Sequence, residues 1–372
     1  MNTAGPNELL YRIALTMIPN IGNMVIKNLM AYCGSAEAAL TASRAKLLKI
    51  PLVGDERAEM IVNADVMKKA EEELKYITDN GITPIFFTDA TYPERLKQCT
   101  DSPVMMYFNG TCNFNTPKAI AVVGTRRATD YGKEITKRLI HELTPYQPLI
   151  ISGLAYGIDI CAHNAALENG LPTIAVLGGG LHSIYPQQHI SAAKKMMANG
   201  GLLTEYTTFD EMHPKNFPER NRIVAGMCDA LIIVESTSDG GAVITANLAN
   251  GYNRDVFAVP GKATDKVSAG CNMLIKTHKA QLVETGKDII DALRWELADG
   301  SGKQAKRQRQ LFISLSAEEQ KIYDLLNQQG EMEIDMLSQG TGLGTGTLAG
   351  TLLEMEMNNL LVALPGKRYR LT

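Results

Sequence analysis

Ala119-Ile120-Ala121-Val122-Val123-Gly124-Thr125-Arg126-Arg127 decides the fold. A short unbroken apolar run ending in glycine reads as a strand buried on both faces, closed by a tight turn. Tyr131, Ile135, Leu139 and Leu143 follow four residues apart, which predicts a helix. Further apolar runs begin at Leu149, Thr173, Leu202, Ala230, Asp255 and Gln281, at successive intervals of 30, 24, 29, 28, 25 and 26 residues from Ala119. Most intervals hold one helix. Residues 117–290 therefore read as α/β, a Rossmann-like, mostly parallel sheet with helices on both faces.

Ligands of such a sheet sit at the carboxyl ends of its strands, and the unusual residues collect there. Gly124 to Arg127 end the first strand, and Ser152 to Asp159 end the second. Gly178-Gly179-Gly180 with Tyr185-Pro186, then Glu205-Tyr206, Glu235 to Gly241 and Pro260-Gly261-Lys262, end the next four. Gly124 and Gly153 leave room for backbone amides to approach an oxyanion. Arg126 and Arg127 suit phosphate through their planar donor fork, unless one is structural and the other solvated. Lys215-Asn216-Phe217-Pro218-Glu219-Arg220-Asn221-Arg222 is the densest cluster. Its cations suit phosphates, and Phe217 is either a stacking face for a base or a core anchor. Arg220 and Arg222 lie two apart and cannot share a helix face, so one is expected to touch ligand and the other to be structural.

Other chemistries lack their patterns. Gly124 begins no G-x-G-x-x-G, Gly261-Lys262 completes no P-loop, and neither G-x-S-x-G nor H-E-x-x-H occurs. His163 reads as a structural histidine. Cys33, Cys99, Cys112, Cys161, Cys228 and Cys271 form no C-x-x-C pair, so reduced thiols are expected, with no metal and no cofactor. The first residues lack a signal-peptide core, and no run approaches the roughly 18 apolar residues of a span, so a cytoplasmic, membrane-free protein is expected. The 372 residues carry a net charge of −3, which excludes a broad basic face and requires any nucleic-acid site to be local.

Residues 1–75 read as short helices with two glycine turns, Ile18 to Gly22 and Ile50 to Gly54, of helix-hairpin-helix or SAM-like type. The alternative is an ordinary helical hairpin capped by glycine. Residues 76–116, with strands near Ile85 and Met105, read as an extension of the core. Residues 291–315 read as a linker carrying Lys303, Lys306, Arg307 and Arg309. In 316–372, the Ser316/Glu319 capping box, three helices and a hairpin at Pro365-Gly366 form a winged-helix pattern. Its third helix has Glu354 and Glu356 but no Lys or Arg between Leu343 and Asn359, which disfavours duplex reading and favours protein contact.

The chain resembles the DprA/Smf DNA-processing family. The likeness lies in Val122 to Arg126, Ser152 to Asp159 with Ala162-His163, Ala175 to Gly178 with Tyr185-Pro186, Phe217 to Gly226, Gly241 to Ala246 and Val256 to Gly261. It implies a non-catalytic single-stranded-DNA-binding protein of natural transformation, acting as a cytoplasmic homodimer that protects incoming strands and loads RecA recombinase. It places the DNA site at Gly124, Thr125, Arg126, Phe217, Arg220, Asn221 and Arg222. Arg127, Ser152, Gly153 and Lys215 are neighbouring candidates. Gly240 departs from a common Ser, and Thr277 to Ala280 departs from an Asn-Gly-Ala-like ending. A second reading is a Rossmann-like nucleotide phosphoribohydrolase, with Glu205 and Glu235 as candidate acids or bases.

Overall fold

The structure, a computed structural model, describes residues 6–297, 315–358 and 360–371. Six helices come first: α1 (Pro6–Thr16), α2 (Asn23–Cys33), α3 (Ala36–Leu40), α4 (Arg44–Leu47), α5 (Asp55–Val62) and α6 (Met67–Asp79). Gly22 and Gly54 cap α2 and α5 as the sequence implies. The first turn of α5 carries Asp55 and Glu56, whose charge disfavours a phosphate at this turn. Ala70, Glu73 and Ile77 keep one face of α6 buried through Asp79, so the boundary expected at residue 75 falls inside a helix.

β1 (Thr83–Phe86), α7 (Glu94–Lys97) and β2 (Met105–Gly110) follow. Then come β3 (Ala119–Val123), α8 (Asp130–Leu143), β4 (Leu149–Ser152), α9 (Ile158–Glu168), β5 (Thr173–Val176), α10 (Ile190–Met196) and β6 (Gly200–Thr204). The core closes with α11 (Asn216–Gly226), β7 (Ala230–Ile233), α12 (Gly241–Gly251), β8 (Asp255–Ala258), α13 (Ala269–Lys276), β9 (Gln281–Leu282) and α14 (Gly286–Leu293). The nine strands form one sheet in the order β1-β2-β6-β5-β4-β3-β7-β8-β9. β3 to β9 run parallel, while β2 pairs antiparallel with both β1 and β6. Segment 76–116 is thus an antiparallel edge of the main sheet. Phe86, Met105 and Tyr107 pack with Ile13, Leu15 and Ile26, which ties the helical segment to that edge.

All seven apolar runs from Ala119 onward are strands. β6 starts earlier than its run, at Gly200, where a Cβ would strike the Thr173 carbonyl, so only glycine lets β5 and β6 approach there. Side chains alternate between two helix layers. Ile120, Val122, Ile150 and Ile232 meet Ile135, Leu139, Ile158 and Ala162 on one side. Ala121, Val123, Ile151 and Leu231 meet Ile223, Val224, Ala246 and Leu274 on the other. Tyr131 is 49% exposed and does not belong to the buried stripe of α8, which Ile140 completes instead. α14 runs to Leu293, past the expected core boundary at 290. The linker cations Lys303, Lys306, Arg307 and Arg309 lie outside the described residues.

The C-terminal domain contains α15 (Ala317–Gln329), β10 (Met332–Glu333), α16 (Ile334–Thr341), α17 (Thr345–Met357), β11 (Leu361–Leu364) and β12 (Arg368–Leu371). Both bonds of the Ser316/Glu319 capping box form. β12 lies between β10 and β11, and the helices pack on this sheet through Ile322, Leu337, Leu348 and Leu352. The domain docks at the amino ends of the core strands. There Arg368, paired within its own domain with Glu331 at 2.7 Å, donates across to Asp229, the residue before β7, at 3.0 Å.

Candidate nucleic-acid interface

β4 and β7 flank β3, and the crossovers leave β3 in opposite directions. This switch point opens a crevice at the carboxyl ends of the strands. A cleft of about 250 Å³ lies there, lined by Val123 to Arg126, Ala155, Asp159, Phe217, Pro218, Arg220, Asn221, Ser236, Thr237, Gly240 to Ala242 and Thr245. The structure therefore brings Gly124, Thr125, Arg126, Phe217, Arg220 and Asn221 to one cleft. Arg127, Ser152, Gly153, Lys215 and Arg222 are not in its lining.

The close strand-to-helix turns depend on glycine at two places. Gly157 has φ of 77°, and a Cβ there would run into the Thr125 carbonyl. A Cβ at Gly153 would overlap the Arg220 guanidinium. The Gly153 amide, expected to meet a ligand anion, donates to Asp159 Oδ2 at 3.1 Å instead, and the Ala155 amide donates to the same oxygen at 3.4 Å. The internal carboxylate takes the place that a phosphate would need. Ser152 is fully buried, and its hydroxyl donates to the Val122 carbonyl at 2.6 Å, so it braces β4 against β3.

The two arginines of α11 both carry internal bonds. Arg220 is 3% exposed and donates to the carbonyls of Gly153 (2.7 Å) and Val176, tying α11 to the ends of β4 and β5. Burial lowers its pKa to about 10, with nearby Asp159 opposing the shift. Burial likewise pushes the Asp159 carboxyl up, while Arg220 and the two amides pull it back. Arg220 Nε is buried without a partner, so the cleft floor retains an unused donor. Arg222 pairs with Glu205, whose carboxyl burial raises and Arg222 lowers. Glu235 is 1% exposed and accepts from the Thr129 amide at 2.9 Å and from its hydroxyl, at the start of α8. Neither Glu205 nor Glu235 lines the cleft, so the phosphoribohydrolase reading has no open carboxylate from its two candidates. His163 is fully buried, bonds Thr173 Oγ1 through Nδ1 at 2.8 Å, and has its pKa lowered to about 3 by burial, Arg220 and His189.

Three cations remain open, one of them in the cleft lining. Arg126, Arg127 and Lys215 are exposed and have no ion-pair partner among the described residues. Arg126 lies over the Phe217 ring, 5.5 Å from its centroid. Gly240 to Ala242, at the N-terminus of α12, also face the cleft, and a helix start presents amides to an anion. The sequence places Glu235 to Gly241 on the ligand rim but singles out none of Ser236, Thr237, Gly240 or Gly241 as a DNA contact, and it does not place Thr245 there. The available signal for the helix start was Gly240-Gly241 after an apolar strand.

The family model for DNA recombination-mediator protein A matches residues 83–294, and the DprA winged helix domain matches residues 308–367. The chain belongs to the DNA recombination-mediator protein A family. Protein Smf of Escherichia coli K12 is 32% identical over 286 residues, covering 75% of this chain and 75% of that protein. The X-ray structure of DNA processing protein A (DprA) from Streptococcus pneumoniae matches with a TM-score of 0.63 and 28% identity, over 78% of this chain and 98% of that one. DNA processing protein A from Helicobacter pylori, whose structure concerns a single-stranded DNA binding mode, matches with a TM-score of 0.53 and 29% identity, over 58% of this chain and 97% of that one. Two departures from the DprA pattern have structural answers. Gly240 abuts the Ser236 hydroxyl, which occupies the space a side chain would take. The turn after α13 still forms, with His278 adopting a left-handed φ of 56°.

Proposed function

We propose that this DprA-family chain binds single-stranded DNA in the cleft between β3, α11 and α12 and delivers the strand to RecA recombinase. Arg126 carries this reading: it is an exposed guanidinium with no described acid partner, poised above an aromatic ring at the switch point. The α12 amides and Arg127 and Lys215 on the surrounding surface extend the phosphate contacts, and Thr125 and Asn221 offer hydrogen bonds. Arg220, Arg222, Ser152 and Gly153 serve as the frame that shapes the cleft.

Non-catalytic action in the cytoplasm as a homodimer completes the proposal. Ile244 on α12, Met273 on α13 and Leu282 on edge strand β9 are 46%, 36% and 44% exposed and supply an apolar contact for a second copy. No helix among the described residues is long and apolar enough to cross a membrane. α17 carries Glu354 and Glu356 and no basic residue, which supports protein rather than duplex contact for the winged helix.

A gel shift with single-stranded and duplex DNA of equal length, with and without RecA, tests the proposal. Preferential shift of the single strand, and faster RecA filament formation on it, is the expected result. Equal or better duplex binding contradicts it.

A further inference from the structure

We propose that Tyr185 is the surface on which a base of the bound strand stacks, and that Phe217 is a positioning residue for Arg126. This rests on the single-stranded-DNA reading of the cleft. A stacking platform needs a ring face open to solvent, because the base covers that face. Phe217 has little to offer. Arg126 lies over it at 5.5 Å, and its ring is packed so closely on Gly178 that a Cβ there would come within 3.0 Å of a ring carbon. Tyr185 tilts against it as well, with centroids 5.7 Å apart and planes at 54°. A guanidinium held over a ring in this way gains cation–π attraction and loses side-chain freedom, which orients its donors.

Tyr185 has what Phe217 lacks. It lies on the β5–α10 connection beside the cleft, is 50% exposed, and one part of the ring rests on Phe217. Its hydroxyl has no hydrogen-bond partner among the described residues. A fixed yet half-open ring next to an unpaired arginine suits one nucleotide, its phosphate on Arg126 and its base on Tyr185. Tyr156, 38% exposed on the neighbouring β4–α9 connection, is committed through its hydroxyl to Gln188 at 2.8 Å and through its ring edge to His189. Tyr185 is the freer of the two. Stacking accepts any base, so this arrangement binds strands without choosing sequence.

The test uses the full chain and an oligo-dT strand bearing one 2-aminopurine. Affinity is read by anisotropy over a salt series, and stacking by the change in 2-aminopurine fluorescence. Tyr185→Ala is expected to weaken binding about tenfold, leave the salt slope unchanged and abolish the fluorescence change. Tyr185→Phe retains both signals. Tyr32→Ala, at a more exposed tyrosine of α2, changes neither. Phe217→Leu is expected to reduce the salt slope as Arg126→Ala does, while keeping the fluorescence change. If Tyr185→Ala binds and quenches like the wild type while Arg126→Ala binds weakly, the Tyr185 assignment is overturned and the cleft reading stands. If neither variant is weakened, both are overturned.

Discussion

Every arginine clustered at the amino ends of the central sheet is tied to an internal partner, whereas two at the carboxyl ends are not. At the amino ends, Asp229 is 3% exposed and takes two bonds from Arg95 (2.7 and 2.9 Å), one from the Ala119 amide (2.8 Å) and one from Arg368 of the winged helix (3.0 Å). Arg254 adds donors to the Arg95 and Gly226 carbonyls. Arg95 and Arg368 are matched there by Asp229, and the cluster is a structural junction between domains. At the carboxyl ends, Arg126 and Arg127 have no described acid partner, and Arg220 is held by carbonyls rather than by a carboxylate in contact. Buried arginines at both ends are structural, held by acids or by carbonyls. Exposed arginines with no internal partner, Arg126 and Arg127, are the ones that await an anion.

The largest expected effect falls at the amino ends. Asp229→Asn leaves Arg95 buried without its counter-charge and should cost about 3–5 kcal/mol of stability, read by denaturant titration. Single-stranded-DNA affinity, measured where the variant is still folded, should stay unchanged. A matching loss of affinity would break the separation of the two ends. An acid scan probes the buried histidine between the two ends next. His163 is neutral in the folded chain, with its pKa lowered to about 3, whereas an unfolded chain protonates it near the ordinary value of 6.5. Stability is therefore complete above that ordinary value and is lost as pH falls toward the folded one. Between pH 7 and 5 the wild type should lose about 2 kcal/mol more than His163→Asn, because burial, and after it Arg220 and His189, disfavours the imidazolium. Equal losses would show that the folded chain does not hold His163 neutral. The smallest effect belongs to Arg368→Ala. Its partly exposed bonds to Asp229 and Glu331 should be worth about 1 kcal/mol, and protease cutting between the core and the winged helix should quicken. Unchanged cutting would show that the domain is held by other contacts.

The sheet was legible because its inner strands β3 to β7 are buried on both faces and so appear as continuous apolar runs from Ala119 to Ile233. The rim was legible too, since glycines cluster where strands turn into helices. The division of labour within the rim was not. Nothing in the sequence couples Gly153 to Asp159 or Arg220 to the carbonyls of Gly153 and Val176, because these contacts depend on how α9 and α11 lie across the sheet. The two-residue spacing of Arg220 and Arg222 gave one ligand contact and one structural arginine, whereas both carry internal bonds. Tyr185 was visible only as part of a Tyr-Pro motif; its openness follows from its packing against Phe217. Segment boundaries at 75 and 290 slipped because α6 and α14 continue through them without a breaker residue.

The salt dependence of oligo-dT binding by the full chain and by Arg126→Ala tests the central claim most directly. The account predicts a lower affinity for the variant, a log–log slope shallower by about 0.7, and an unchanged denaturation midpoint. An affinity and slope equal to those of the wild type would contradict it.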